Sequence, residues 1–348
     1  MSGASPFLAQ LDEVNLGWEA SWQKAKGHRI FFTGGTGIIG TWMVELFCRA
    51  NRQLGLGAEL LLLTRDPDAF QERSPHLARD PAVRLIQGDV RTFSAEELRF
   101  SLAIHGATSS HGPFAREHPM EHLDTIVEGT RRILEAATRG GAERFLYLSS
   151  GAVYGTQPPE LLRMEENYTG APDPLDLGSL YGLGKRMAEH LCIQQAHRHG
   201  LECVIGRGYA LVGPGLPLDA HFAIGQFIKN VIEGESIQIL GDGTPLRSYL
   251  YASDMALCFW LLLLEGTPGN AYNVGSDEAI SIADLARLCA QRSGTEVVFG
   301  ESPCADRLPS RYVPSMAKVR HDIGYYPKVN LGEALDRTLT WYSHKELT

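Results

Sequence analysis

Residues 29–54 read RIFFTGGTGIIGTWMVELFCRANRQL. Arg29–Thr33 is a short apolar run, and a helical pattern extends from Ile38 to about Leu54. Between them Gly34, Gly37 and Gly40 stand at GxxGxxG spacing. Small residues at such a junction let the chain turn tightly, let the backbone approach a pyrophosphate, and seat the helix against the strand. The start of the helix then offers free N–H groups and the positive end of its dipole to an anion. A glycine triplet alone says little; the strand before it and the helix after it make it a phosphate-binding loop. The residues that would line that loop are Gly34, Thr36, Gly37, Ile38, Ile39 and Gly40.

Outward from this loop the same alternation repeats. Glu59–Thr64, Val83–Gln87, Leu102–Ala107, Arg144–Ser149 and Glu202–Arg207 are apolar runs of strand length, while 121–139 and 181–199 carry helical periodicity. Strands without polar alternation, separated by helices, indicate a parallel sheet covered on both faces. The order predicts an α/β, doubly wound, Rossmann-type fold. We expect a dinucleotide-binding domain over 28–212. From Gly213 onward Pro, Gly and short elements dominate, which suggests that 213–348 is mostly a substrate-binding lobe with returns to the main sheet. Residues 1–27 form an extension. Within it Leu8, Leu11, Val14, Trp18 and Trp22 recur at roughly helical spacing, as in a helix packed on the body or on a partner subunit.

Composition narrows the function. Among 348 residues, 32 Lys and Arg face 41 Asp and Glu, a net charge of -9 that argues against a nucleic-acid partner. No apolar run reaches membrane-spanning length, and the longest, Met255–Leu264, is bounded by Asp254 and Glu265 and reads as a buried helix. No basic start followed by an apolar stretch marks a secretory signal. The six cysteines form no CxxC pair and do not cluster with histidines, so we expect buried thiols, no metal site and a cytoplasmic location.

The second strand ends in Thr64-Arg65-Asp66. An arginine there accommodates the 2′-phosphate of NADP, and an acidic residue bonds the free ribose of NAD. Arg65 leans the expectation toward NADP; Asp66 precedes Pro67 and is expected to turn outward, but keeps NAD open. Asp89, after the third strand, is placed to bond an adenine edge or to cap a turn. Tyr181 and Lys185 share a helix face at a spacing of four. An ammonium beside a phenol lowers its pKa, and such a tyrosine can exchange a proton with an alcohol or sugar oxygen while hydride moves. Ser150, at the end of the fifth strand, could hold the same oxygen.

These features sit among others in a fixed order: GDV (88–90), HGAT (105–108), EGTRRILEAA (128–137), LSSGAVYG (148–155), YGLGK (181–185), GPG (213–215), GDGTPLRSYLYASDMA (241–256) and AYNVGS (271–276). Over about 28–343 the chain resembles the extended short-chain dehydrogenases/reductases that act on nucleotide sugars, a group of epimerases, dehydratases and ketoreductases. The resemblance implies catalytic Ser150, Tyr181 and Lys185. It implies NAD(P) contacts at the glycine loop, Arg65, Asp89, Val90, Ala107, Tyr181 and Lys185. It implies substrate contacts at Ser110, Ser150 and Tyr181, with Arg247 and Arg311 on a nucleotide diphosphate. His111 and His118, after the fourth strand, are candidates for a second proton-transfer group. The chain also departs from the family. Gly151 and Ala152 stand where dehydratases carry Asp-Glu, Ile126 replaces a usual asparagine, and Arg207-Gly208-Tyr209-Ala210 lacks another.

The reading that follows is an NAD(P)-dependent nucleotide-sugar epimerase working by hydride transfer at C4 of the hexose. The alternative is an NADPH-dependent reductase of nucleotide-4-keto sugars; further alternatives are a dehydratase and a non-catalytic dinucleotide-binding protein. A homodimer is expected through the helices at 121–139 and 181–199.

Overall fold

Seven strands line up side by side: β1 (Arg29–Thr33), β2 (Glu59–Thr64), β3 (Val83–Gln87), β4 (Leu102–His105), β5 (Arg144–Ser150), β6 (Glu202–Gly208) and β7 (Ala271–Val274). The computed structural model describes residues 8–15, 17–108, 113–219, 222–300 and 308–345. The spatial order is β7-β6-β5-β4-β1-β2-β3, and every neighbouring pair is parallel. The chain winds outward from β1 to β3, then crosses back to β4 and winds the other way. Connections therefore leave β1 and β4 in opposite directions, and a crevice opens between their C-terminal ends.

Consecutive side chains on these strands enter two different cores. Ile30, Phe32, Leu60 and Leu62 pack with helices α1 (Ile38–Leu54) and α4 (Ala252–Glu265). Phe31, Leu61, Leu63 and Phe145 pack with α2 (Pro119–Gly140) and α3 (Leu180–His199). That is why the strands are apolar at successive positions. α4 returns to the sheet from the C-terminal part and is buried at every residue from Ala252 to Leu264. No helix among the described residues is long and apolar enough to cross a membrane.

The N-terminal segment belongs to the first core. Leu11, Val14 and Trp22 are buried in it, and the Trp22 ring lies 5.2 Å from that of Trp260 on α4. Trp22 Nε1 donates to Asn15 Oδ1 at 2.9 Å, and Arg337 reaches Glu13 at 2.7 Å. The rest of the C-terminal part is built from short pieces. Leu246–Arg247 lies between Ile280–Ser281 and Arg311–Tyr312 in a small three-stranded sheet. Asp254 sits wholly buried at the start of α4, and its carboxylate accepts the backbone N–H groups of Lys328 and Val329.

Because Trp22 is only 1% exposed, Trp22→Ala should cost about 3–5 kcal/mol, the range for removing a buried aromatic. Urea denaturation followed by tryptophan fluorescence and by circular dichroism checks this, with the whole transition moving to lower urea.

Candidate active site

The loop after β1 is shaped by its glycines. Gly34 has φ +84°, and a Cβ there would stand 2.5 Å from the Gly106 carbonyl carbon and 2.7 Å from the Ala107 nitrogen. A Cβ on Gly40 would lie 2.1 Å from the Gly34 oxygen. Both positions must therefore be glycine for the loop after β4 and the first turn of α1 to close in. Gly37 is different. It has ordinary extended geometry, and the nearest atom to a Cβ there is the Gly34 oxygen at 3.4 Å. The space it faces is left open by the protein, in front of the first-turn N–H groups of Ile38, Ile39 and Gly40, which have no partner within the helix. Such a cradle fits a diphosphate.

The adenosine end lies beyond β2 and β3. Arg65 is exposed. Asp66 accepts the Ala69 N–H at 2.9 Å and so caps the helix Pro67–Arg73. Arg73, which the sequence did not single out, donates to the Thr36 carbonyl at 2.7 Å and braces the phosphate loop. Asp89 accepts from the Arg91 backbone, Nε and Nη2 at 2.8, 3.0 and 2.8 Å. The Arg91 fork holds its carboxylate below the usual range, with a smaller contribution from Arg65. Turn-capping is thus the role its oxygens fill. Val90 is buried against Gly129, where a Cβ would come 2.9 Å from its Cγ2.

Ser150, Tyr181 and Lys185 come together where β5 ends and α3 begins. Ser150 Oγ accepts the Ala152 N–H at 3.2 Å, and the Tyr181 phenol stands beside the same hydroxyl. Lys185 Nζ donates to the Leu148 carbonyl at 2.8 Å and lies 5.9 Å from the Tyr181 ring centre. Burial draws the Lys185 ammonium down to about 7. One expectation is corrected here. The Tyr181 phenol is raised, not lowered: burial outweighs the Ser150 hydrogen bond, and Lys185 is held by a carbonyl below the ring.

Two further groups stand on Tyr181. The His122 ring stacks on it at 6.0 Å and 9°, with Nε2 3.4 Å from Thr108 Oγ1. Tyr312, from the C-terminal part, lies near enough to Ser150 for the hydroxyl to lower its phenol slightly against the effect of burial. Beside it, Tyr209 lies 4.6 Å away, ring to ring. The Tyr209 ring fills the space next to Gly151, where a Cβ would meet its Cζ at 2.5 Å. The missing Asp-Glu pair is thus replaced by an aromatic wall. The Asn-less segment around Arg207 has its own use. Arg207 forms a buried fork with Glu189 at 2.7 and 3.0 Å and also reaches the Tyr154 hydroxyl.

Arg247 and Arg311 lie on adjacent strands, but in the register Tyr312↔Arg247 and Arg311↔Leu246. Alternation along a strand sends Arg247 and Tyr312 to one side and Arg311 to the other. Arg311 Nε is buried with no hydrogen-bond partner. His118 flanks the start of α2, 3.7 Å from Glu121. Ser110 and His111 lie outside the described residues.

A model of the NAD-dependent epimerase/dehydratase family matches residues 30–275, and the chain belongs to that family. UDP-glucuronic acid decarboxylase 6 of Arabidopsis thaliana is 29% identical over 309 residues, covering 88% of this chain and 86% of the relative. A dTDP-glucose 4,6-dehydratase of Streptomyces antibioticus is 27% identical over 320 residues, covering 90% and 92%. Among solved structures, the dTDP-glucose 4,6-dehydratase of Streptomyces venezuelae, with NAD and TYD bound, superposes at a TM-score of 0.77 with 25% identity, covering 91% of this chain and 98% of that one. The UDP-glucose 4-epimerase of Thermotoga maritima shares the fold at a TM-score of 0.76 and 21% identity, covering 92% and 100%.

Since Gly37 alone of the loop glycines 34, 35, 37 and 40 faces open space, Gly37→Val should leave the fold intact and weaken NAD binding by roughly tenfold or more, about 1.4 kcal/mol. Fluorescence titration with NAD beside a thermal melt checks both halves. Gly40→Val should instead lower the melting temperature.

Proposed function

We propose that this chain is a nucleotide-sugar epimerase working at C4 of the hexose. The observation that carries the reading is the assembly of Ser150, Tyr181 and Lys185 beside a diphosphate cradle, with the Tyr209 ring where dehydratases hold carboxylates. The relatives include decarboxylases and dehydratases. In this chain Glu189 is committed to Arg207 and Ser149, and Glu166 accepts the Asn273 N–H. Neither is placed to serve as a lyase acid or base.

The first turn of α1, with Gly34 and Ala107 behind it, would hold the cofactor diphosphate, and Lys185 lies where the ribose would approach. A nicotinamide cofactor, when bound, supplies the hydride acceptor and donor. Tyr181 takes the O4 proton on oxidation and returns it on reduction, with Ser150 holding the same oxygen. Arg247 would meet the sugar-nucleotide diphosphate. Epimerisation then requires only that the 4-keto sugar turn over between two hydride transfers.

A second reading, an NADPH-dependent 4-keto-sugar reductase, is favoured by one feature. Arg65 is exposed at the adenosine end and acts on Asp89, with Arg73 on the neighbouring helix. Paired guanidinium hydrogen bonds suit a 2′-phosphate. We also propose a homodimer through α2 and α3; on α3, Met187 and Ile193 stay 52% and 37% exposed.

Three measurements test these proposals. Tyr181→Phe should lose about 10²–10⁴-fold in kcat on the nucleotide sugars that the wild type converts, with the cofactor still bound. The products of a panel of UDP- and dTDP-sugars, with and without NADPH, separate epimerase from reductase. In the reductase case Arg65→Ala should weaken NADP about tenfold and leave NAD unchanged, by titration of each. Light scattering at micromolar concentration should give a dimer, and Met187→Asp a monomer.

A further inference from the structure

The stretch YGLGK carries two glycines between its tyrosine and its lysine, and each has a close neighbour. A Cβ on Gly182 would stand 2.5 Å from the Ala152 carbonyl oxygen, in the turn Gly151–Tyr154 that follows β5. A Cβ on Gly184 would stand 3.1 Å from Leu123 Cδ1 and 3.3 Å from Ile126 Cδ1, both on α2. Positions two apart on a helix face opposite ways. The first turn of α3 is therefore pressed against the end of β5 on one side and against α2 on the other. The second approach brings His122, next to Leu123, onto Tyr181.

That contact is face to face. The ring centres are 6.0 Å apart and the planes lie only 9° from parallel, an offset stack. The imidazole is itself held. His122 is buried, its backbone N–H donates to the His118 carbonyl at 3.0 Å, and its Nε2 lies 3.4 Å from Thr108 Oγ1. Thr108 follows Gly106 and Ala107, against whose backbone Gly34 of the phosphate loop closes. One side chain thus touches both the loop behind the diphosphate cradle and the tyrosine ring. A phenyl ring could supply the face without the edge contact, and an amide the edge without the face.

Tyr181 needs such a support. Side chains on a helix lean toward its N-terminus, and Tyr181 is the second residue of α3, with no earlier turn of that helix to lean on. Its oxygen sits at the end of a long lever, so a small rotation about χ1 carries it far. A flat ring against one face blocks displacement along the ring normal.

We propose that His122 is a positioning residue: its face fixes where the Tyr181 phenol stands, and its edge ties that place to the loop after β4. Its use in turnover rests on the proposed hydride chemistry; the fixing of the ring does not.

The test places 3-fluorotyrosine at position 181 and reads its ¹⁹F resonance in the folded protein as isolated. In His122→Leu and His122→Gln, which lack the plane, the resonance should move toward that of free fluorotyrosine. His122→Phe should hold it closer to the wild-type position than either. Leu123→Ala, which loosens the packing of α2 on α3 but leaves the stack, should lower the melting temperature and keep the resonance in place. A resonance unmoved by the loss of the plane, moved as far by His122→Phe, or moved as far by Leu123→Ala overturns the proposal; if one of the two plane-less variants does not fold, the other decides. On a nucleotide sugar that the wild type converts, His122→Leu should lower kcat about tenfold with KM unchanged, and His122→Phe should recover most of it. A kcat that His122→Leu leaves at the wild-type value overturns the role in turnover. Because the resonance needs no sugar, a protein that shows the ring fixed but converts none of the UDP- or dTDP-sugars refutes the proposed reaction and leaves the fixing of the ring standing.

Discussion

The contact on which the site depends is one of backbone against backbone. The loops that leave β1 and β4 meet at Gly34 and Gly106 with no room for a side chain between them. Just below, Thr33 Oγ1 and His105 Nδ1 are 2.6 Å apart across the two strands, and the other ring nitrogen of His105 lies 3.1 Å from Thr130 on α2. Burial, with the nearby Lys185, takes His105 down to about 3, so the ring is neutral at neutral pH. A neutral imidazole has one donor and one acceptor and can serve both threonines. The crevice thus keeps its width through a polar pin that carries no charge. Widening it would pull the first turn of α1 away from the loop after β4, and the diphosphate cradle would be lost with it.

A second buried network fixes the catalytic side. Glu189 on α3 takes Arg207 from β6 and Ser149 from β5, while Arg207 passes to Tyr154, whose hydroxyl donates to Asn273 on β7. Three neighbouring strands and the tyrosine-bearing helix are therefore locked by one ion pair with its hydrogen bonds satisfied. Such pairs add little net stability over an apolar core, but removing one partner is costly because the other is left charged and buried. Here the pair sets the height of α3 against β5, and so the distance from Tyr181 to Ser150.

Much of this was legible in the sequence. The strands declare themselves because their residues are buried on both faces, and the glycine loop because its neighbours are a strand and a helix. Tyr181 and Lys185 share a face by simple helical arithmetic. What could not be read is anything set by register between short pieces. Tyr312 comes level with Arg247 through a strand of two residues, and the same register sets Arg311 on the other side. Tyr209 was visible as a departure from a family pattern, but only the packing shows that its ring takes the place of a side chain at 151. The effect of Lys185 on Tyr181 also failed from sequence. Spacing places the ammonium near the ring and says nothing of the Leu148 carbonyl that holds it, or of the burial that raises the phenol.

The clasp between the N-terminal segment and α4 bears on how the chain is made. α4 is apolar around its whole circumference, so as it leaves the ribosome it has no face of its own that tolerates water. Trp22 and its neighbours were synthesised some two hundred residues earlier and are already available to cover it. Tyr325 and Arg337, which close the same region from the other end, arrive only later. Proteins of this size fold domain by domain during synthesis, and exposed apolar surface invites aggregation at that stage. The early segment thus joins α1 in covering the most apolar helix of the chain before the residues that close the same region from the other end have been translated.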